Sequence, residues 1–155
     1  MPMLEGTHRA PGLQFAVVVS RYNDFVTERL LAGAREGLAT AGVTDDDVTV
    51  LRVPGAYEIP LAAQRAAETG RFAGVIALGC LIRGATPHFD YIASEAASGL
   101  QLAALETGVP VAFGVLTVES IDQAEARVEK GAEAVRTALE MADAFAQLRA
   151  SAATA

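Results

Sequence analysis

Phe15 to Ser20 reads FAVVVS, a run with no charge and none of the apolar–polar alternation of a half-solvated strand. Such a run suits a strand covered on both faces, and strands of that kind belong to parallel sheets flanked by helices. Parallel strands cannot be joined by tight hairpins, so each needs a crossover, usually a helix. The rest of the chain supplies these. Asn23 or Asp24 can cap a helix that runs to Thr40 and stops at Gly42. Val48–Val53 is a second strand, and Pro54-Gly55 turns the chain into a helix over residues 58–68, ended by Gly70. Gly74–Ile82 is a third strand, and Pro87 to Asp90 lead into a helix that reaches Glu106 and ends at Gly108. Residues 109–117 form the fourth strand, and Glu119 or Ser120 starts a last helical region reaching Leu148. The pattern predicts one α/β domain over residues 1–155, a four-stranded parallel sheet with helices on both faces. Residues 1–12 are expected to be irregular and residues 150–155 a frayed tail.

Charge narrows the function. Lys plus Arg number 12 against 19 Asp plus Glu, a net charge of -7, which is a poor match for a phosphate backbone and argues against nucleic acid. Cys80 is the only cysteine, so no internal disulfide and no Cys/His metal spacing is available. No apolar run approaches the ~20 residues of a membrane span, and the opening MPMLEGTHRAPG lacks the apolar core of a signal peptide. A cytoplasmic chain without a membrane partner is expected. Ile121, Ala124, Val128, Val135, Leu139 and Ala142 follow helical spacing, a stripe to be packed on the sheet or on a neighbouring subunit.

In open α/β sheets ligands bind at the carboxyl ends of the strands, and the polar and aromatic residues gather in the loops expected there. Gly84-Ala85-Thr86 offers small residues, free N–H groups and a hydroxyl before a helix, a pocket suited to phosphate, although it is not a Walker loop. His88, two residues on, can cap the helix or exchange protons near neutral pH. Tyr22 and Tyr57 supply flat surfaces for a planar ring or pack at an edge. Glu58 is a first-turn carboxylate or an acceptor for ligand hydroxyls. Cys80 reads as a small buried hydrophobe rather than a nucleophile. Asp45-Asp46-Asp47 reads as a solvated turn, because it lies before a strand.

Together, SRYNDFVTERLLAGA (20–34), VPGAYEIPLAA (53–63), LGCLIRGATPHFDYIASEAASG (78–99), TGVPVAFGVLT (107–117) and the weaker ESIDQAEAR (119–127) resemble the lumazine synthases of riboflavin biosynthesis. The resemblance implies a flavodoxin-like, three-layer α/β/α sandwich. It implies condensation of 5-amino-6-(D-ribitylamino)uracil with 3,4-dihydroxy-2-butanone 4-phosphate to 6,7-dimethyl-8-ribityllumazine, with phosphate and water released and no cofactor or metal. It further implies a homopentamer, in some members twelve pentamers forming an icosahedral shell, with sites between subunits and riboflavin synthase as a partner. By motif, Tyr22 would stack on the pyrimidine, and Asn23, Ala56, Tyr57 and Glu58 would hold the ring and ribityl chain. Cys80, Leu81 and Ile82 would meet the ring edge, largely through backbone. Ala85 and Thr86 would bind the phosphate, and His88 would transfer the proton. From the neighbouring subunit, Phe113 would close the ring pocket and Arg127 would pair with the phosphate. Arg83 is read either as a structural ion pair or as a ligand contact.

The family's glycine-rich linker after the position of Arg127 is shortened here to Val128-Glu129-Lys130-Gly131, with Lys130 assigned to the phosphate site. Residues 120–148 are therefore expected to form one nearly continuous helix, interrupted only at Gly131. Two other readings are a non-catalytic lumazine- or flavin-binding or cage-scaffold protein, and a flavodoxin-type electron carrier. The second is disfavoured because the phosphate loop follows the third strand rather than the first.

Overall fold

A computed structural model describes residues 1–153. Its four strands are β1 (Phe15–Ser20), β2 (Val48–Val53), β3 (Gly74–Ile82) and β4 (Val111–Val118), all parallel, in the order β2-β1-β3-β4. The helices are α1 (Asp24–Thr40), α2 (Ile59–Glu68), α3 (His88–Thr107), the short α4 (Ile121–Glu125) and α5 (Lys130–Ala153). Every residue of β1 is buried, as an unalternated apolar run requires. Phe15, Val17 and Val19 meet α1 and α5 on one face, and Ala16 and Val18 meet the α2 and α3 layer on the other. The architecture is the expected flavodoxin-like three-layer sandwich. β2, at the sheet edge, is largely exposed along residues 49–52.

Three expectations need correction. Asn23 precedes α1 in the left-handed conformation (φ 64°) and makes no side-chain cap. Its Nδ2 instead donates to the Cys80 carbonyl at 2.8 Å, across to another strand. The last helical region is two helices, broken at residues 126–129 by tight i→i+3 bonds from the N–H groups of Arg127, Lys130 and Gly131. Gly131 lies inside α5 rather than interrupting it. The helix also runs past Leu148, so residues 150–153 of the expected frayed tail are helical. Residues 154–155 of that tail lie outside the described residues.

Gly131 has a packing reason. A Cβ there would stand 2.2 Å from the Leu30 carbonyl oxygen, where α5 crosses α1, whereas a Cβ on Gly33 of the same interface would meet Ala132 N at an ordinary 3.7 Å. Gly131→Val should therefore force the helices apart and lower stability by about 1–3 kcal/mol, the usual cost of overpacking. Gly33→Ala should be neutral or stabilising by up to ~1 kcal/mol, since it removes a mid-helix glycine without a clash. Thermal melts of the two variants test this, and an unchanged midpoint for Gly131→Val would refute it.

The irregular residues 1–12 lie along α5. Thr7 N–H donates to Asp143 at 2.8 Å, Gln147 Nε2 donates to the Glu5 carbonyl at 2.7 Å, and His8 pairs with Glu140. The Thr7 amide, above all, and Gln147 hold the Asp143 carboxyl below its usual range. Among the described residues, no helix is long and apolar enough to cross a membrane.

Candidate active site

The chain leaves β1 toward one face of the sheet and β3 toward the other, because α1 joins the α5 layer and α3 the α2 layer. Strands whose following helices diverge in this way open a crevice at their carboxyl ends. The β1–β3 ladder stops at Val19–Leu78, while the β3–β4 ladder continues to Ile82–Val118. Residues 79–82 thus extend beyond the last β1 partner, and the Asn23 amide spans the gap to Cys80.

One wall comes from the loops after β1 and β2. Arg21 and Tyr22 N–H groups donate to the Pro54 carbonyl at 3.1 and 3.0 Å, which binds the two loops together. The Tyr22 ring lies over Gly55, where a Cβ would be only 2.6 Å from its Cδ2, so Gly55 is the floor on which the ring rests. Tyr22 remains 65% exposed and Tyr57 57% exposed, so both rings present free faces. Glu58 closes a reciprocal turn: its N–H donates to the Gly55 carbonyl (3.1 Å) and its Oε1 accepts from Gly55 N–H (3.0 Å), leaving Oε2 without a partner among the described residues. Ala56 is buried beneath this turn. Cys80 is buried as well, and burial pushes its thiol up to about 11. A thiol so protonated is no nucleophile near neutral pH. Leu81 and Ile82 are half-buried.

The other wall is the loop after β3. Arg83 N–H continues the ladder to the Val118 carbonyl at 2.9 Å. The N–H groups of Gly84, Ala85 and Thr86 then have no partner among the described residues, and His88 N–H reaches Thr86 Oγ1 only at 3.5 Å. A string of open N–H groups ahead of the 20-residue helix α3 has the chemistry to hold an anion. His88 is the first residue of α3, and its imidazole is exposed.

Phe113, Arg127 and Lys130 are elsewhere. They line a cleft of about 440 Å³ along the outer edge of β4, with Leu116, Glu129 and Glu133. None of Tyr22, Asn23, Tyr57, Glu58, Thr86 or His88 lines it. Phe113 pairs with Ala77, well below the Ile82–Val118 end of the ladder; at ~3.3 Å per residue that is roughly 16 Å from the ladder's end. Arg127 Nη1 donates to the Gln123 carbonyl at 2.9 Å, and it has no carboxylate partner among the described residues. Lys130 pairs with Glu133 at 3.8 Å, one turn along α5.

The family model described as 6,7-dimethyl-8-ribityllumazine synthase matches residues 12–146. The chain belongs to that family. Membership places it among the enzymes of riboflavin biosynthesis, a transferase family, and the match spans both groups of residues, the crevice and the β4 cleft. Against this lumazine synthase frame, sequence reasoning missed Gly55 as the seat of the Tyr22 ring. A Pro-Gly pair reads first as a turn, and nothing local shows that a ring from residue 22 must lie on it. It also missed the polar contacts of Glu119 and Gln123, which depend on partners in other elements. Among the described residues, no group of three or more His, Cys, Asp or Glu side chains is placed to hold a metal ion.

Proposed function

We propose that this chain, as a single-domain cytoplasmic enzyme, condenses 5-amino-6-(D-ribitylamino)uracil with 3,4-dihydroxy-2-butanone 4-phosphate. The products are 6,7-dimethyl-8-ribityllumazine, phosphate and water. The observation that carries this reading is the crevice itself, with an exposed ring seated over Gly55 on one wall and a loop of unpartnered N–H groups ending at His88 on the other. The pyrimidine stacks on Tyr22 and meets the backbone of Cys80, Leu81 and Ile82. Asn23, Ala56, Tyr57 and Oε2 of Glu58 hold the ring and the ribityl hydroxyls. Ala85 and Thr86 take the phosphate. The 5-amino group attacks the ketone of the butanone while His88 moves protons between the amine nitrogen and the carbonyl oxygen. Phosphate departure is favoured because its charge is already held. Placing the two substrates in register supplies much of the acceleration by removing the entropy of their encounter.

The β4 cleft supports a shared site. Phe113, Arg127 and Lys130 of one copy complete the crevice of the next, which makes the working form a closed homo-oligomer, read as a pentamer. Mixing the protein with both substrates and following the fluorescence of the lumazine tests the reaction. Turnover is expected. Ligand binding without turnover would replace it with the non-catalytic binding reading, and a flavin-loaded protein that cycles redox would replace it with the electron carrier. Light scattering should give a mass of five subunits or of sixty, and a stable monomer would sink the shared site.

A further inference from the structure

Arg83 has no task in the reaction above, yet it is the most heavily engaged cation near the crevice. Its Nε donates to the Glu119 carboxylate, 3.1 Å from either oxygen, and its Nη1 donates to Asp90 at 3.1 and 3.2 Å. The guanidinium carbon sits 4.4 Å over the Phe89 ring. The hydrogen bond to Glu119 is the largest influence raising its pKa above the ordinary arginine value. Two of its three nitrogens are engaged by carboxylates and its plane is stacked, so the guanidinium is committed to its own chain rather than standing as a free cation. Its two carboxylates, however, flank the open N–H loop. Asp90 lies in the first turn of α3, two residues past His88, and Glu119 directly follows β4 beside Arg83. The trio carries one net negative charge with Arg83 and two without it, a difference that is large beside the roughly half positive charge of a helix N-terminus.

The same contacts reach the second phosphate-binding group. Glu119 N–H donates to Gln123 Oε1 at 2.7 Å, and the Gln123 carbonyl accepts from Arg127 Nη1 at 2.9 Å. One chain of contacts therefore runs from the N–H loop through Arg83, Glu119 and Gln123 to Arg127. We propose that Arg83 is a positioning residue for phosphate: without touching it, Arg83 offsets part of the charge of Asp90 and Glu119 beside the N–H loop and braces the turn that carries Arg127. This rests on the condensation reading, in which both elements serve the phosphate of the butanone.

The test uses the full chain and the variants Arg83→Gln and Arg83→Gln/Asp90→Asn/Glu119→Gln, with two readouts. In steady-state kinetics, Arg83→Gln should raise KM for the phosphorylated ketone about tenfold, a Coulomb-sized effect of two nearby charges in a high dielectric, with KM for the pyrimidine unchanged. The rise should shrink in high salt. Inorganic phosphate, titrated by calorimetry without turnover, should bind about tenfold more weakly to Arg83→Gln for the same reason. The triple variant should recover most of both losses, because it removes the charges that Arg83 answers. Exposed ion pairs contribute little to folding, so the melting temperature should barely move. Equal increases in both KM values, or no recovery in the triple variant, would overturn the proposal in favour of a purely structural ion pair. A wild-type chain that makes no lumazine overturns the reaction reading instead, and the phosphate titration then decides the role of Arg83 by itself.

Discussion

Co-assembled His88→Ala and Arg127→Ala chains should recover about a quarter of wild-type activity, although each variant alone is crippled, because half of the loops and half of the arginines in a random closed ring are intact. The expectation comes from the separation within one chain. Phe113, Arg127 and Lys130 share a cleft at the outer edge of β4, and the residues of the N–H loop crevice take no part in it. If the crevice of one copy faces the β4 edge of the next, a site is intact whenever an Arg127→Ala chain lends its loop and a His88→Ala chain lends its arginine. Separately, Arg127→Ala should lose roughly tenfold to a hundredfold in kcat/KM, the worth of a hydrogen bond to a charged group. The measurement is lumazine formation by co-expressed chains, with native mass spectrometry confirming that both variants occupy one ring. Verified mixed rings no more active than the mean of the two parents would place each site within one chain and end the shared-site reading.

The strands were legible because burial on two faces leaves a mark in the sequence. Phe15–Ser20, Val48–Val53 and Gly74–Ile82 are found where the apolar runs lie. β4 starts at Val111 rather than at 109 for a local reason. Val109 N–H is taken by Thr107 Oγ1, and Pro110 has no N–H, offering only its carbonyl to Val75. The errors arose where a residue serves a distant partner. Asn23 has the chemistry of a cap, but its amide is used 57 positions away, at Cys80. Gly131 has the chemistry of a helix breaker, but the Leu30 carbonyl requires the absence of a side chain there. The N–H loop and His88 were legible as a contiguous segment. The link from Arg83 to Glu119 was not, since ion-pair partners 36 residues apart leave no periodic trace; nor was that from Arg127 to the Gln123 carbonyl, since a backbone acceptor has no residue identity to read.

His88→Ala should lower kcat about 10²- to 10⁴-fold, the usual contribution of a positioned acid–base group, and leave the fold intact. His88 opens α3 with an exposed imidazole, and its side chain makes no hydrogen bond among the described residues, so truncation leaves no buried polar group unpaired. KM for the phosphorylated ketone should change by no more than a few-fold, because in the proposed reaction the N–H groups of residues 84–86 and the arginine, not His88, hold the phosphate. The residual rate should stay well above that of the substrates in free solution, since alignment of amine and ketone does not depend on the imidazole. An exposed position also predicts chemical rescue: imidazole added to the variant can enter the vacated space and restore part of the rate, while the wild type is unaffected. Complete loss of activity in a folded His88→Ala protein would mean that His88 does more than move protons. A loss below tenfold would mean that water or the substrate's own groups already carry the proton, leaving the N–H loop and Arg127, rather than His88, as the chemical centre of the crevice.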